Sequence, residues 1–170
     1  PVSPTDPEVI FVEYEQAASP VSYIPPVVKI EVSGRSMAEP IEDVNIESLI
    51  DSAAPQAVFA EPKFSVRAVM PKRTFLEKIF LLHEEFAKGD GLIRVARMSR
   101  HLYDVHRMLH TAIAEEALAD QFLYETVIEH RKTFIGLRGF DYSTLAKPTL
   151  FFIPPESVYD EWKKDYETMQ

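Results

Sequence analysis

The sequence contains no cysteine and only five glycines among its 170 residues. The lack of cysteine excludes disulfides, thiolate catalysis and cysteine metal sites, and makes a reducing compartment, the cytoplasm, the expected location. The glycines are scattered, so the P-loop and Rossmann signatures, which use clustered glycines around phosphate, are absent. Chemistry in this chain must therefore come from its charged side chains.

Long apolar runs and positive net charge are also missing. No stretch approaches the roughly 18 apolar residues of a membrane span, and residues 1–9 lack the basic and apolar regions of a signal peptide, so we expect no membrane attachment. The formal net charge is -9, and a chain this acidic repels nucleic acid as a whole. A phosphate-bearing partner must therefore be met by a local basic patch.

Prolines divide the chain into two parts of different composition. Ten of the thirteen prolines lie at or before Pro71, and none lies between Thr74 and Phe134. Because proline interrupts helices, we predict a strand-rich part over residues 1–71 and a mainly helical part over residues 72–170. The length suits one domain, and the termini resemble internal boundaries, so residues 1–170 are expected to form a single domain or a fragment of one.

Alternating apolar and polar residues predict three strands in the first part, followed by four longer helices in the second. The strand candidates are Val9–Glu15, the segment 26–33 and Phe64–Met70, with a short helical pattern near Leu49 between the last two and a short strand-like run at 149–153. Helix starts are predicted near Thr74, Ser99, Asp120 and the proline pair 154–155. Together these elements predict an α+β fold, with a small mixed sheet of three to four strands followed by helices.

The segment Arg94 to His110 is the strongest electrostatic feature. Its four arginines against the single acid Asp104 give a formal charge of +3 inside an acidic chain. At helical spacing Arg100 and Arg107 lie beside Asp104, which favours a surface salt-bridge cluster on spacing alone. His106 and His110 could share a metal at their four-residue spacing, but no third ligand is evident, so core or surface histidines are favoured.

Two further charged residues have an ordinary and a functional interpretation. Lys78 borders the apolar stripe of the helix that starts near Thr74, where snorkelling into water is the ordinary interpretation and phosphate binding the functional one. Glu31 shares the polar face of a strand with Lys29, which is typical of the wet side of a sheet, although a carboxylate there can also ligate magnesium.

The motifs RTFLEKIFLLHEE and RMSRHLYDVHRM, with VKIEVSGRS before them and FFIPPES after them, resemble the nucleotidyltransferase toxins of the abortive-infection AbiEii/AbiGii family. The resemblance implies part of a nucleotidyltransferase fold, with Lys78 contacting nucleotide phosphates and Asp104 completing the active site. It places Glu31 as a metal-binding acid, and phosphate contacts at Arg100 and Arg107 are a weaker expectation. The implied cofactors are Mg²⁺ and a nucleoside triphosphate, and the implied partners are an RNA acceptor and a cognate antitoxin protein.

The family's early signature, a Gly-Ser turn followed by a strand with an acid-x-acid pair, has no counterpart here. Gly34-Arg35-Ser36 is not that turn, because no such strand follows at the right interval. We therefore expect these motifs to lie upstream of Pro1, and expect the 170-residue chain alone to be inactive. Without its first strands, an exposed sheet edge would invite dimerisation. The alternative is a non-catalytic interaction or regulatory module, in which Lys78 and Asp104 are surface charges.

Overall fold

The computed structural model describes residues 7–15, 25–34, 37, 39–89 and 91–170. Within these ranges it contains four strands, six α-helices and a short 3-10 helix, which confirms the α+β class. The strands are β1 (Val9–Glu13), β2 (Val27–Glu31), β3 (Ile41–Ile46) and β4 (Phe64–Val69). The helices are α1 (Leu49–Ala53), α2 (Pro71–Phe86), α3 (Ser99–Leu109), α4 (Ala112–Ala119), α5 (Gln121–Phe134) and α6 (Glu156–Met169), with the 3-10 helix at Tyr142–Leu145.

The strands form two separate antiparallel pairs. β1 pairs with β2, placing Ile10 opposite Ile30, and β3 pairs with β4, placing Val44 opposite Val66. β3 was not predicted from sequence, because the short helical pattern was taken to begin at Ile46, where β3 ends; α1 confirms the helix near Leu49. The strand-like run at 149–153 is not a strand, and its Phe151 N–H instead donates to Nδ1 of His83 at 3.1 Å.

Two predicted helix boundaries differ in the structure. α2 begins at Pro71, three residues before the expected cap Thr74, because a proline in the first turn lacks only an N–H that would have had no helical partner. No helix start was predicted between Ser99 and Asp120, but the Thr111 hydroxyl accepts from the Ile113 N–H at 3.3 Å and starts α4. Asp120 caps α5 in the same way, accepting from the Leu123 N–H at 3.0 Å.

The chain divides into two compact units, which are interleaved in sequence. The first comprises residues 1–36, 89–100 and 154–170, and the second comprises 37–88 and 101–153. In the first unit, the Asp165 carboxylate of α6 accepts from the backbone N–H groups of Arg97 at 2.7 Å and Ser99 at 3.0 Å. Although burial opposes it, this set of hydrogen bonds, with one from the Ser99 hydroxyl, lowers the pKa of Asp165 below its usual value of 3.8. The N-terminal end of α3 is thereby attached to α6.

The second unit is built around α2, which is buried on more than one side. Its apolar residues Phe75, Leu76, Ile79, Phe80 and Leu82 are almost completely inaccessible to solvent. Phe80 also packs edge-to-face against Tyr124 of α5, with ring centroids 5.0 Å apart. The Tyr124 hydroxyl donates to the buried Leu145 carbonyl at 2.6 Å, and burial raises the pKa of this phenol to about 12. These contacts join α2, α5 and the 3-10 helix into one core.

Candidate functional site

The two helical motifs of the sequence meet at a single ion pair. The Lys78 ammonium of α2 lies 2.8 Å from a carboxylate oxygen of Asp104 on α3. The Lys78 side chain is 21% exposed and that of Asp104 is 43% exposed, so the pair lies at the edge of the core with one side open to water. Asp104 was expected to pair with Arg100 or Arg107 on its own helix, but its partner is a lysine 26 positions earlier in the chain.

Local packing explains why Lys78 points at α3. The Lys78 side chain is only 21% exposed, so most of it is covered while its ammonium reaches Asp104. On α3, Val105 is buried and thereby fixes the rotation of the helix next to Asp104. His101 is three residues before Asp104 and shares its face, and its Nδ1 lies 3.5 Å from the Lys78 ammonium. Lys78 therefore contacts two side chains of α3.

The remaining predicted site residues lie elsewhere. Arg107 is exposed on α3, in the same unit as the ion pair. Arg100 and Glu31 belong to the first unit, where Arg100 is exposed in the first turn of α3 and Glu31 is exposed on β2. The carboxylate of Glu31 forms an ion pair with Lys29 at 2.5 Å. The structure thus brings Lys78 and Asp104 into contact, while the roles assigned to Glu31, Arg100 and Arg107 stay predictions.

Clusters of metal-ligating side chains are absent from the described part of the chain. Across it, no group of three or more histidine, aspartate or glutamate side chains is arranged to hold a metal ion. His106 and His110 pack edge-to-face with ring centroids 4.7 Å apart. Magnesium takes oxygen ligands in near-octahedral geometry, and Asp104 alone does not supply such a set. Side chains of the described residues alone therefore provide no complete set of magnesium ligands, and the Mg²⁺ cofactor stays a prediction.

Three consecutive polar residues near the end of α2 were not recognised from sequence. His83, Glu84 and Glu85 are all buried. Glu84 forms a bidentate ion pair with Arg131 of α5, including a bond from Nε at 2.8 Å. The signal that could have found them is the position of HEE inside an apolar helix, where a single wet face cannot accommodate three successive residues.

His83 connects α2 to the segment that follows α5. Its Nε2 lies 3.0 Å from the Thr144 hydroxyl, and its Nδ1 accepts from the Phe151 N–H. Burial lowers the pKa of His83 below its usual value, since the charged ring would be desolvated there. The neutral ring is thus the form that the fold favours.

The comparison with known families gives the decisive observation. Residues 2–170 match the family model described as nucleotidyl transferase AbiEii toxin, type IV toxin–antitoxin system. The chain belongs to the AbiEii family. The predicted resemblance is confirmed over nearly the whole chain, and AbiEii membership makes this a nucleotidyltransferase-like toxin of a toxin–antitoxin system.

No curated protein and no solved structure matches the chain. Among the described residues of this AbiEii member, no helix is long and apolar enough to cross a membrane. An antitoxin protein is the partner that membership of a toxin–antitoxin family implies.

Proposed function

We propose that the protein acts in transfer of a nucleotide from a nucleoside triphosphate to an RNA acceptor, with Lys78 holding the triphosphate. The observation that supports this is the contact between Lys78 and Asp104 at 2.8 Å, because it joins the two motifs on which the family resemblance rests. Family membership supports the reaction class, and the choice of nucleotide and acceptor is part of the proposal.

Nucleotidyl transfer needs positioning and charge neutralisation more than covalent chemistry from the protein. Lys78 supplies a cation whose stem is packed and whose ammonium is held by Asp104, so little side-chain freedom is lost when a phosphate approaches. Its partial burial also strengthens the attraction to phosphate relative to a fully hydrated lysine. Asp104 is a positioning residue in this scheme, and Arg107 adds a second cation on the same helix as Asp104.

The proposal includes magnesium because the reaction class implies it; among the described residues no cluster of three or more ligands marks its position. The family resemblance assigned Glu31 as the magnesium-binding acid, and in the structure the Glu31 carboxylate pairs with Lys29. We propose further that the 170-residue chain binds the triphosphate without transferring the nucleotide by itself. The support is the sequence, in which the Gly-Ser turn and its acid-x-acid strand are not found at the expected interval.

The triphosphate contact can be tested with two lysines of the same helix. Lys78 and Lys72 both lie on α2, both pair with an aspartate, and their side chains are 21% and 25% exposed. We expect Lys78→Gln to weaken binding of each ribonucleoside triphosphate, measured by calorimetry, by about tenfold or more, as loss of a charge-assisted hydrogen bond predicts. The matched variant Lys72→Gln should bind like the parent.

Equal losses in the two variants, or no loss in either, would contradict the proposed role of Lys78 and favour a non-catalytic interaction module. Transfer itself is tested by incorporation of labelled nucleotide into RNA in the presence of magnesium. Incorporation by the 170-residue chain alone would refute its proposed inactivity, while leaving the binding role of Lys78 open to the calorimetric test.

A further inference from the structure

A second group of cations lies within the first unit, where it includes Arg100 but not Lys78. A cavity of about 760 Å³ is formed there between one face of the β1–β2 pair and the segment that leads into α3. The cationic side chains that line it are Lys29, Arg94, Arg97 and Arg100. Its size is in the upper part of the range typical of ligand pockets.

The charge of this cavity is opposite to that of the chain. Four cationic side chains face two carboxylates, Glu13 and Glu31, so the lining has a formal charge of +2 in a chain of -9. Residues 91–100 supply three arginines and no acid, and all three arginines are exposed. Concave walls with one sign of charge concentrate oppositely charged ligands. The cavity therefore favours an anion despite the acidic protein around it.

Hydrogen bonds fix the backbone of the arginine segment, residues 91–100. Arg97 has a left-handed backbone conformation, with φ at 62°, which is uncommon for a residue with a side chain. Asp165 holds this conformation by accepting from the Arg97 and Ser99 N–H groups. The Ser99 N–H in the first turn of α3 is thus occupied, and the arginine side chains line the cavity.

The sheet face opposite supplies an aromatic side chain beside a cation. Phe11 lies directly across from Lys29 in the β1–β2 register, so both side chains are on the face that lines the cavity. Phe11 is only partly buried. Arginines spread over several residues together with a partly exposed ring form the combination that binds single-stranded nucleic acid, with cations on phosphates and a base on the ring.

We infer that this cavity binds the phosphate backbone of single-stranded RNA, through Arg94, Arg97 and Arg100, with a base stacked on Phe11. The inference rests on the proposed function in taking RNA as the acceptor, and it assigns to that acceptor a binding site that does not include Lys78. A free triphosphate has the same phosphate groups as RNA, but they are clustered at one point. It would therefore leave most of the arginine segment without a ligand.

The test uses the 170-residue chain and a short labelled single-stranded oligoribonucleotide, without nucleotide or magnesium. Fluorescence anisotropy is recorded across a salt series for the parent, for Arg94→Gln/Arg100→Gln, and for a control with the same change in net charge, Arg67→Gln/Arg138→Gln. Both control arginines are exposed in the second unit. The cavity variant should bind at least about tenfold more weakly, and its log-log salt slope should be flatter by about 1.4, since each phosphate contact on a single strand contributes about 0.7. The control should retain the parent affinity.

Two further variants address folding and base stacking. In Arg97→Gly the backbone N–H can still donate to Asp165, and glycine suits the left-handed backbone conformation. This variant should therefore lower RNA affinity without loss of thermal stability. Phe11→Leu should weaken RNA binding by about fivefold or more while leaving the salt slope and the binding of inorganic triphosphate unchanged.

Three results would overturn the inference. They are parent-like RNA affinity in the cavity variants, equal losses in the Arg67/Arg138 control, and loss of inorganic triphosphate binding with RNA binding retained, which would identify a site for free phosphate. Neither nucleotide nor Lys78 takes part in the RNA-binding test. A negative result in that test would therefore leave the calorimetric result for Lys78 unaffected, and a negative calorimetric result would leave the RNA-binding result unaffected.

Discussion

Removal of one partner from the buried Glu84–Arg131 pair should destabilise the second unit strongly. The side chains are 5% and 10% exposed, and both guanidinium bonds go to the two oxygens of one carboxylate. In Arg131→Met the Glu84 carboxylate stays in the core without its counter-charge, a change that typically costs about 3–5 kcal/mol. With a urea dependence of about 2 kcal/mol per molar, the unfolding midpoint should fall by roughly 1.5–2.5 M.

The neighbouring lysine on α5 provides the control. Lys132 pairs with Glu129 at 3.1 Å, but these side chains are 60% and 62% exposed, so Lys132→Met should change stability by no more than about 1 kcal/mol. The double variant Glu84→Leu/Arg131→Met leaves no buried charge and should recover most of the loss. Urea unfolding followed by circular dichroism measures all three. Equal midpoints for Arg131→Met and Lys132→Met would refute the assignment of this energy to burial of the unpaired carboxylate.

Three further outcomes concern other contacts described above. Tyr124→Phe should lower the free energy of unfolding by about 1–3 kcal/mol, because the buried Leu145 carbonyl loses its hydrogen bond while the ring packing remains; a thermal scan checks this. His83 has a lowered pKa, so the unfolded chain binds its proton first, and stability should fall as the pH drops below about 6.5; His83→Gln should show a weaker dependence than the parent in urea titrations between about pH 7 and 5.5. Asp165→Ala should cost about 1–2 kcal/mol at neutral pH by leaving the Ser99 and Arg97 N–H groups without their acceptor. Because the pKa of Asp165 is lowered, its contribution is present above its usual value of 3.8 and is lost as the pH falls through its folded value, so parent and variant should converge in acid.

Local sequence signals predicted the long helices better than the sheets. The start of α5 follows from the Asp120 side chain, which accepts from the Leu123 N–H three residues later. The start of α3 at Ser99 is also present, but there the Ser99 hydroxyl donates to Asp165, 66 positions away. β3 depends on pairing with β4, with Ile41 opposite Val69, and no local pattern encodes a partner 28 residues away. The alternation of β2 predicted a buried apolar face, yet Val28 and Ile30 are 52% and 44% exposed, because a two-stranded pair has too little packed against it to cover that face.

Prediction of the candidate site from local sequence was limited in the same way. Lys78 could be placed at the border of an apolar stripe, but its contact with Asp104 joins two helices and could not be obtained from the spacing of either. The family resemblance supplied both residues because it treats the two motifs together. The cavity over Phe11 escaped prediction for a related reason, since its arginines lie mostly outside the regular helix and its other wall comes from a strand far away in sequence.

The buried polar residues of α2 also determine how accurately Lys78 is placed. His83 and Glu84 point in successive directions around the helix axis and bind the segment near Thr144 and the guanidinium of Arg131, whereas Glu85 binds the ammonium of Lys88 three residues later. Hydrophobic side chains alone would tolerate a small rotation or slide of the helix, because apolar contacts have little directionality. Two directional contacts at different angles, those of His83 and Glu84 with other elements, do not, since such a movement would strain both of them. The rotation of α2 about its axis and its position along that axis are thus fixed. The Lys78 ammonium, little more than one turn earlier, is fixed with them.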